Sequence, residues 1–218
     1  WMQRYFASQA SLIRVFSRSS VTRACAALEL GEDKICVVAE GDFSGYYPNA
    51  TTRAQARSRL GLGMDELVLL WLGSIRPYKG LHELIDAFHQ TAQPDWRLVI
   101  AGKPFIQSYA AEIAAQIQGD PRIQFHPTFI AENELQIYYN AADAVVLPFV
   151  EVENSGSVCV AMGFCKPIVA PNLGVIGERL RHQPELVYRP GGLSEALKRL
   201  ASLPSARRTE IGADNLRE

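Results

Sequence analysis

The sequence predicts an α/β fold, a Rossmann-like, doubly wound parallel sheet. Short apolar runs bounded by turn residues alternate along the chain with segments of helical spacing. Most of these runs are apolar at every position, as in strands that are covered on both faces. The chain has 218 residues, of which 48% are hydrophobic and 21% are charged. That size and composition are sufficient for one doubly wound domain with a sizeable core.

The strand predictions follow the apolar runs in chain order. The runs are short, rich in Val, Ile and Leu, and separated by Gly, Pro or Asn. Because a helical segment follows nearly every run, the strands are expected to be parallel and joined by crossovers. The predicted strands span residues 35–39, 67–72, 97–101, 123–125, 144–147 and 167–170.

The helix predictions occupy the segments between the strands. They span residues 52–60, 81–90, 109–118, 132–142, 157–164 and 176–181. Residues 1–30 are predicted as helices before the first strand, and residues 193–217 as one or two terminal helices. Residues 40–50 are interpreted as an ordered linker, because their aromatic side chains need burial.

Composition excludes several classes of protein. The formal net charge is -1, so no basic field indicates nucleic acid. No apolar run reaches the roughly 18 residues of a membrane-spanning helix. The four cysteines form no C-x-x-C pair, which favours reduced thiols and a cytoplasmic location. The histidines lack metal-ligand spacing and no D-x-D occurs, so neither a metal nor a cofactor is predicted.

A loop with two cations follows the strand predicted over 67–72. "GSIRPYKG" spans positions 73–80 and leads into a helix. In an open α/β sheet, ligands bind outside the carboxyl ends of the strands. Arg76 offers a planar fork and Lys79 a point charge, while the glycines permit close backbone approach. We interpret this loop as a candidate diphosphate site; solvated surface charges are the alternative.

A second candidate anion site lies in residues 148–157, after the strand predicted over 144–147. Asn154 or Ser155 is the predicted N-cap of the next helix, whose first N–H groups are free to bind an anion. The acids of this loop are candidates for binding sugar hydroxyls. A simple cap with surface acids is the alternative, but two anion-type loops at one sheet edge favour a shared site. The candidate residues are Glu151, Glu153, Asn154, Ser155, Gly156 and Ser157.

Three longer segments carry a family resemblance. They are "GSIRPYKGLHELIDAF", "WRLVIAGKP" and "ENELQIYYNAADAVVLPFVEVENSGSVCVAMGFCKPIVAP". Together they resemble the nucleotide-sugar-binding domain of GT-B glycosyltransferases of glycosyltransferase family 4 (group 1), in order over residues 33–190. The resemblance implies one half of a GT-B fold. Residues 33–192 would be the donor-binding domain, residues 1–32 the end of the N-terminal acceptor domain with its linker, and residues 193–218 C-terminal helices.

The resemblance also implies roles for the candidate residues. Arg76 and Lys79 would hold the donor diphosphate, which Gly73 and Ser74 would approach. Arg76, Lys79 and Glu153 would form the catalytic group. The nucleoside pocket would be lined by Gly102, Lys103, Phe129 and Ile130. The donor sugar and phosphate would contact Glu151, Asn154, Ser155, Gly156 and Ser157.

Two positions depart from the family pattern. Ser74 stands where an arginine is usual, and Val160 where the second of two glutamates is usual. A valine cannot bind a ribose hydroxyl. At the first position, Arg76 either replaces the missing arginine or leaves Lys79 to act with backbone donors alone.

The function implied by the resemblance is a metal-independent, retaining hexosyltransferase. It would transfer sugar from a UDP- or GDP-sugar to a saccharide or lipid-linked acceptor in polysaccharide, glycolipid or glycoconjugate biosynthesis. The chain alone is expected to be inactive without the N-terminal GT-B domain. The expected location is the cytoplasm, with peripheral contact to the inner face of the membrane left open.

Two alternatives to this function stay open. The first is a non-catalytic nucleotide-binding or interaction module, which Val160 and the absent half favour. The second is another GT-B-like enzyme, such as a nucleotide-sugar epimerase. An epimerase needs acid and base side chains in the cleft, for which His126 is the candidate.

Overall fold

A computed structural model describes residues 1–41, 43–152 and 154–217 of the chain. Within these residues, six parallel strands form a central sheet and two form a separate small sheet. The strands are β1 (Ile13–Val15), β2 (Ile35–Val37), β3 (Leu67–Leu72), β4 (Trp96–Ala101), β5 (Ile123–His126), β6 (Ala144–Val146), β7 (Ile168–Pro171) and β8 (Val187–Tyr188).

Helices cover both faces of the central sheet, which confirms the predicted doubly wound α/β fold. None of the helices in the described ranges combines the length and apolarity that crossing a membrane requires. The helices are α1 (Met2–Gln9), α2 (Ser19–Leu28), α3 (Arg53–Leu60), α4 (Leu81–Thr91), α5 (Gln107–Ile117), α6 (Leu135–Ala141), α7 (Gly156–Gly163), α8 (Val175–Arg179), α9 (Leu193–Ser202) and α10 (Ser205–Asn215).

Strand β3 shows why its sequence is apolar at every position. Leu67, Leu69 and Trp71 enter the core on one face of the sheet, with residues of α4, α5 and α9. Val68 and Leu70 enter the core on the other face, with residues of α3, α6, α7 and α8. Successive side chains of a strand point to opposite faces, so a strand between two helical layers needs apolar residues throughout.

The strand order β5-β4-β3-β6-β7-β8 determines where the loops meet. The chain proceeds from β3 to β4 and β5 on one side, then returns to β6 on the other side of β3. Leu69 and Leu70 of β3 pair with Ala144 and Val145 of β6. Such a reversal opens a crevice at the carboxyl ends of the two strands, where ligands of open α/β sheets bind. The loops after β3 and β6 therefore lie side by side.

One predicted strand belongs to a different sheet. The strand predicted over 35–39 is shorter, Ile35–Val37, and it pairs in parallel with β1 rather than joining the central sheet. The sequence did not predict β1 or β8, because runs of three and two residues are too short to show a period. The small sheet thus pairs a strand of the segment predicted over residues 1–32 with a strand of the predicted donor-binding domain, residues 33–192.

Aromatic packing orders the segment between β2 and α3. Tyr47 stacks on Phe164 with ring centroids 6.4 Å apart, and Phe164 stacks on Tyr139 at 4.6 Å. Phe43 in turn stacks on Tyr47 at 5.9 Å. Phe43 and Tyr47 are half-buried and Tyr46 is 67% exposed, so the expected burial of these rings is only partial.

Candidate functional site

The loop between β3 and α4 is built by close backbone approach. Residues Pro77–Lys79 form a single 3-10 turn, and Gly80, with a φ of 71°, is the N-cap of α4. A Cβ on Gly80 would lie 1.8 Å from the carbonyl oxygen of Pro148, so only glycine fits there. The N–H of Val150 donates to the carbonyl of Tyr78 at 2.9 Å. The loops after β3 and β6 are thereby fixed to each other.

Lys79 reaches from this loop to the start of α7. Its Nζ lies 3.5 Å from the hydroxyl of Ser157 and 5.8 Å from the ring centroid of Trp71. Burial, assisted by the charge of Arg76, lowers the pKa of Lys79 to about 8. No carboxylate of the described residues forms an ion pair with it. Lys79 is therefore charged at neutral pH and available to an anion.

Gly73 leaves space between Lys79 and Ser157. A Cβ at this position would lie 2.8 Å from Lys79 Nζ and 3.3 Å from Ser157 Oγ. Gly102 allows a similar approach one strand away, because a Cβ there would lie 1.8 Å from the carbonyl oxygen of Gly73. The two glycines allow the backbones at the ends of β3 and β4 to approach each other closely, with Gly73 next to the ammonium.

Arg76 and Ser74 contact each other. Arg76 Nε donates to Ser74 Oγ at 3.4 Å, and its guanidinium carbon lies 4.2 Å from the ring centroid of Phe105. The guanidinium thus occupies the space beside Ser74. The sequence reasoning did not single out Phe105. The available signal was an exposed aromatic directly after the Gly102-Lys103-Pro104 turn, at the ligand edge of the sheet.

The first turn of α7 presents free donors. Ser155 is the N-cap and is 9% exposed, but its hydroxyl does not bond to the helix. The N–H of Val158 donates to the Ser155 carbonyl at 3.0 Å. The N–H groups of Gly156 and Ser157 have no acceptor within the described ranges. Together with the helix dipole they favour an anion at this end of α7.

A cavity of about 700 Å³ opens beside these loops. Its size is within the range of ligand pockets. The predicted Glu151 and Asn154 are among its lining residues, and Glu153 lies outside the described residues. The lining residues are Arg23, Tyr78, Val150, Glu151, Val152, Asn154, Leu173 and Gly174.

The predicted nucleoside pocket lies farther along the sheet edge. Phe129 and Ile130 follow β5, and Phe129 is 68% exposed. Lys103 contributes its carbonyl to the fold, accepting from the N–H of Ile75 at 2.9 Å, while its side chain is exposed. In the described residues these three side chains make no hydrogen bond or ion pair with Lys79 or Ser157.

The sequence reasoning did not select Glu40 as a site residue, although its carboxylate lies beside α7. Glu40 Oε2 accepts from the thiol of Cys159 at 3.5 Å, and Glu40 Oε1 lies 3.8 Å from a Cβ placed on Gly156. Arg179 donates to the Glu40 carbonyl and to the Cys159 sulfur. Burial raises the pKa of Cys159 to about 11, so the thiol keeps its proton and can donate. The available signal was Glu40's position directly after a predicted strand.

Comparisons with known proteins give both a family and relatives. The family model described as Glycosyl transferases group 1 matches residues 66–203. GDP-mannose:glycolipid 4-beta-D-mannosyltransferase of Xanthomonas campestris pv. campestris is 32% identical over 103 residues, 47% of this chain and 30% of that protein. D-inositol 3-phosphate glycosyltransferase of Nocardia farcinica is 32% identical over 160 residues, 68% of this chain and 35% of that protein. The chain therefore spans well under half the length of these two relatives.

Solved structures show the same fold. HepE of Anabaena, solved in complex with UDP and glucose, has a TM-score of 0.82 and 23% identity, covering 95% of this chain and 58% of that one. The C-terminal domain of the glycosyl transferase group 1 family protein LpcC of Francisella tularensis has a TM-score of 0.66 and 22% identity, covering 82% of this chain and 95% of that one. The chain has the fold of one half of a GT-B glycosyltransferase.

Proposed function

The chain belongs to the group 1 glycosyl transferases, and on that premise we propose that it is the donor-binding half of a retaining glycosyltransferase. The observation that carries this proposal is the arrangement around Gly73. The ammonium of Lys79, which pairs with no carboxylate of the described residues, and the hydroxyl of Ser157 face one small space, and the first turn of α7 begins beside it. A diphosphate supplies the negative charge and the acceptor oxygens that these groups lack.

The proposed chemistry is stabilisation of the leaving diphosphate. Negative charge grows on this group as the bond to the sugar breaks, and preorganised donors lower the energy of that state. Lys79, Arg76 and the first turn of α7 would supply these donors without a metal ion. In a retaining reaction the leaving phosphate would also help to take the acceptor proton, so this half needs no general base.

The remaining candidate residues are proposed to bind the other parts of the donor. Glu151, Asn154 and Ser155 would face the donor sugar, and Glu153 keeps its proposed catalytic role although it lies outside the described residues. Ser74 would approach the diphosphate beside Arg76. The nucleoside would bind along the edge formed by Gly102, Lys103, Phe129 and Ile130.

The donor and acceptor classes are proposed from the relatives. One relative is named for GDP-mannose and a glycolipid, and one structure contains UDP and glucose. We therefore propose a UDP- or GDP-sugar donor and a saccharide or lipid-linked acceptor, in polysaccharide, glycolipid or glycoconjugate biosynthesis. An N-terminal GT-B domain would hold the acceptor, so the chain alone would be inactive. The reaction would take place in the cytoplasm, with or without contact at the inner face of the membrane.

Calorimetric titration of the chain with UDP, GDP and ADP tests the donor site. We expect one of them to bind, and Lys79→Met to weaken that binding roughly 10- to 100-fold, as for loss of a charge-assisted hydrogen bond. Lys198→Met, on the exposed side of α9, is the matched control and should change nothing. Absence of binding at millimolar nucleotide, or equal binding by Lys79→Met, would refute the assignment.

The retaining mechanism needs a separate experiment. The full-length protein is supplied with donor and acceptor, and NMR identifies the anomer of the first product formed. Retention predicts the same anomeric configuration in donor and product. The opposite configuration would reject the retaining mechanism while leaving the donor site intact.

A non-catalytic nucleotide-binding module is the second candidate. Val160 of α7 packs against the apolar core, so the position where the family pattern has the second glutamate carries no carboxylate. A full-length protein that binds nucleotide but neither transfers nor hydrolyses any donor would support this candidate. For the epimerase alternative the candidate is still His126, whose Nδ1 hydrogen-bonds to the Tyr138 hydroxyl at 3.0 Å and whose pKa is lowered by burial, which favours the neutral imidazole.

A further inference from the structure

A second group of cations lies at the edge of the central sheet opposite the donor loops. Asp143 directly precedes β6 and Lys166 comes shortly before β7, so both lie at the amino ends of these strands. Arg53 and Arg57 extend from α3 to the same region, where both form ion pairs with Asp143.

Both oxygens of Asp143 are already occupied. Oδ1 accepts from Arg53 at 2.8 Å. Oδ2 accepts from Arg57 at 2.7 Å and from the N–H of Val68 at 2.8 Å. Arg57 is fully buried and also donates to four backbone carbonyls, so its pairing with Asp143 is part of the core. Asp143 therefore has little capacity for a further cation.

Lys166 lies beside this cluster without an acid of its own. Its ammonium donates to the carbonyl of Ala142 at 3.0 Å, and within the described ranges no carboxylate forms an ion pair with it. Burial lowers the pKa of Lys166 to about 8; Arg53 and Arg57 act in the same direction, while Asp143 and Cys165 oppose them. At neutral pH most Lys166 side chains are charged, in a partly buried place with excess positive charge.

A cavity of about 220 Å³ connects Lys166 to a third element. Arg208 of α10 lines it, and one of its nitrogens donates to the Leu203 carbonyl at 2.6 Å. Its remaining nitrogens have no partner among the described residues. Ser205 and Thr209 line the same space, where the Thr209 hydroxyl donates to the Ser205 carbonyl at 3.1 Å. The cavity greatly exceeds the roughly 30 Å³ share of one water molecule, so a compact anion fits.

We propose that this cavity is a binding site for a phosphate group, held by Arg53, Lys166 and Arg208 and separate from the donor site. Guanidinium forks and an ammonium match the oxygens of a phosphate, and the Ser205 hydroxyl can donate to the same group. The partly buried ammonium of Lys166 has no carboxylate partner among the described residues, so a phosphate bound beside it supplies the counter-charge and stabilises the folded chain. The phosphate comes either as the free ion or as a phosphomonoester.

Titration with inorganic phosphate at constant ionic strength tests the site. Calorimetry and the thermal midpoint of the chain are measured with sodium phosphate, with sodium chloride as the ionic-strength match. We expect saturable binding below millimolar phosphate and a rise in the midpoint. Lys166→Met and Arg208→Gln should each weaken the binding roughly tenfold or more. Arg217→Gln, which removes an exposed charge near the end of α10, is the control.

Lys166→Met also separates binding from folding. It keeps the side-chain length and removes a partly buried charge, so the midpoint without phosphate should stay constant or rise. A variant that is as stable as the parent chain and no longer responds to phosphate supports the site. Unchanged binding of UDP in both variants shows that the donor site is not involved.

Three results show whether the ligand is free phosphate or a phosphomonoester, and whether the binding is specific. Tighter binding of glycerol 3-phosphate than of phosphate supports a phosphomonoester, and the reverse supports the free ion. Binding only at tens of millimolar that Lys166→Met leaves unchanged means an adventitious ion only, and overturns the proposal. A parent chain that gives neither heat nor a midpoint shift with either probe overturns it as well.

Discussion

The ammonium of Lys79 lies 3.5 Å from the hydroxyl of Ser157, although the two residues are 78 positions apart in the chain. Lys79 ends the 3-10 turn after β3, and Ser157 stands in the first turn of the helix after β6. The contact exists because β3 and β6 are neighbours in the sheet. It joins the two loops that the sequence marked separately as anion sites, and the first predictions concern this contact.

Gly73→Ala should weaken nucleotide binding. The new Cβ would lie 2.8 Å from Lys79 Nζ and 3.3 Å from Ser157 Oγ, so the ammonium must leave its present position between the two. We expect roughly a tenfold loss of affinity for the nucleotide, measured by calorimetry. Gly41→Ala has open space around its Cβ and is the control. Equal affinities of both variants would contradict a diphosphate at this position.

Arg76 should depend on Phe105 for its position. The ring lies 4.2 Å below the guanidinium carbon, a contact worth about 0.5–1 kcal/mol at an exposed site. Phe105→Leu should therefore lower nucleotide affinity roughly two- to fivefold, and Arg76→Ala more strongly. In the double variant the Phe105 effect should vanish, because its partner is gone. Additive losses would show that Phe105 acts without Arg76.

Nucleotide affinity should fall as pH rises through the pKa of Lys79, about 8. Only the charged ammonium attracts the diphosphate, and each pH unit above the pKa lowers the charged fraction about tenfold. Calorimetry across this range should show the decline in the parent chain and its loss in Lys79→Met. A parent profile that follows the Lys79→Met profile would exclude Lys79 from the site.

The same pKa shift gives a stability change of known sign. The lysine has a pKa of 10.5 in the unfolded chain and about 8 in the folded one. Between pH 8 and 10.5 this lysine is protonated in the unfolded chain and mostly deprotonated in the folded one. Because the unfolded chain binds more protons, the free energy of unfolding rises with pH in this range. Lys166 contributes in the same window, because its pKa is also lowered to about 8. Urea unfolding should show a smaller rise in Lys79→Met and Lys166→Met than in the parent chain.

Gly80→Ala should destabilise the chain more than Gly61→Ala. Both glycines have positive φ, 71° and 65°, so both substitutions carry the cost of a left-handed alanine, about 1–2 kcal/mol. Only at position 80 would the Cβ also meet a backbone atom, the Pro148 oxygen, at 1.8 Å. Urea unfolding should show a difference of at least about 2 kcal/mol between the variants. Similar losses would mean that the two loops separate easily.

Length decided which strands the sequence could reveal. The runs that form β3 and β4 are six residues long and apolar on both faces, so the sequence is enough to predict that they are buried strands. β1 and β8 have three and two residues and give no such signal. β2 was recognised but placed in the wrong sheet, because an apolar run does not specify which strand it pairs with.

In the candidate site, too, some residues could be selected from the sequence and others could not. Residue type and strand position were enough to select Lys79, Arg76 and the start of α7 from the sequence. The partners of these residues were not predictable: Phe105 beneath Arg76, and Glu40 beside Gly156. Their contacts depend on distances between loops that follow different strands.

By itself the sequence determined the longer elements, the doubly wound class and the candidate edge for a ligand, since each follows from local periodicity and from the rule for parallel sheets. Tertiary structure alone decided that Gly73, Lys79 and Ser157 share one space, and that Lys166 and Arg208 line another. The physical reason is that strand order and helix packing set these separations. These separations depend on how the whole core packs, and no single segment of the sequence specifies that packing.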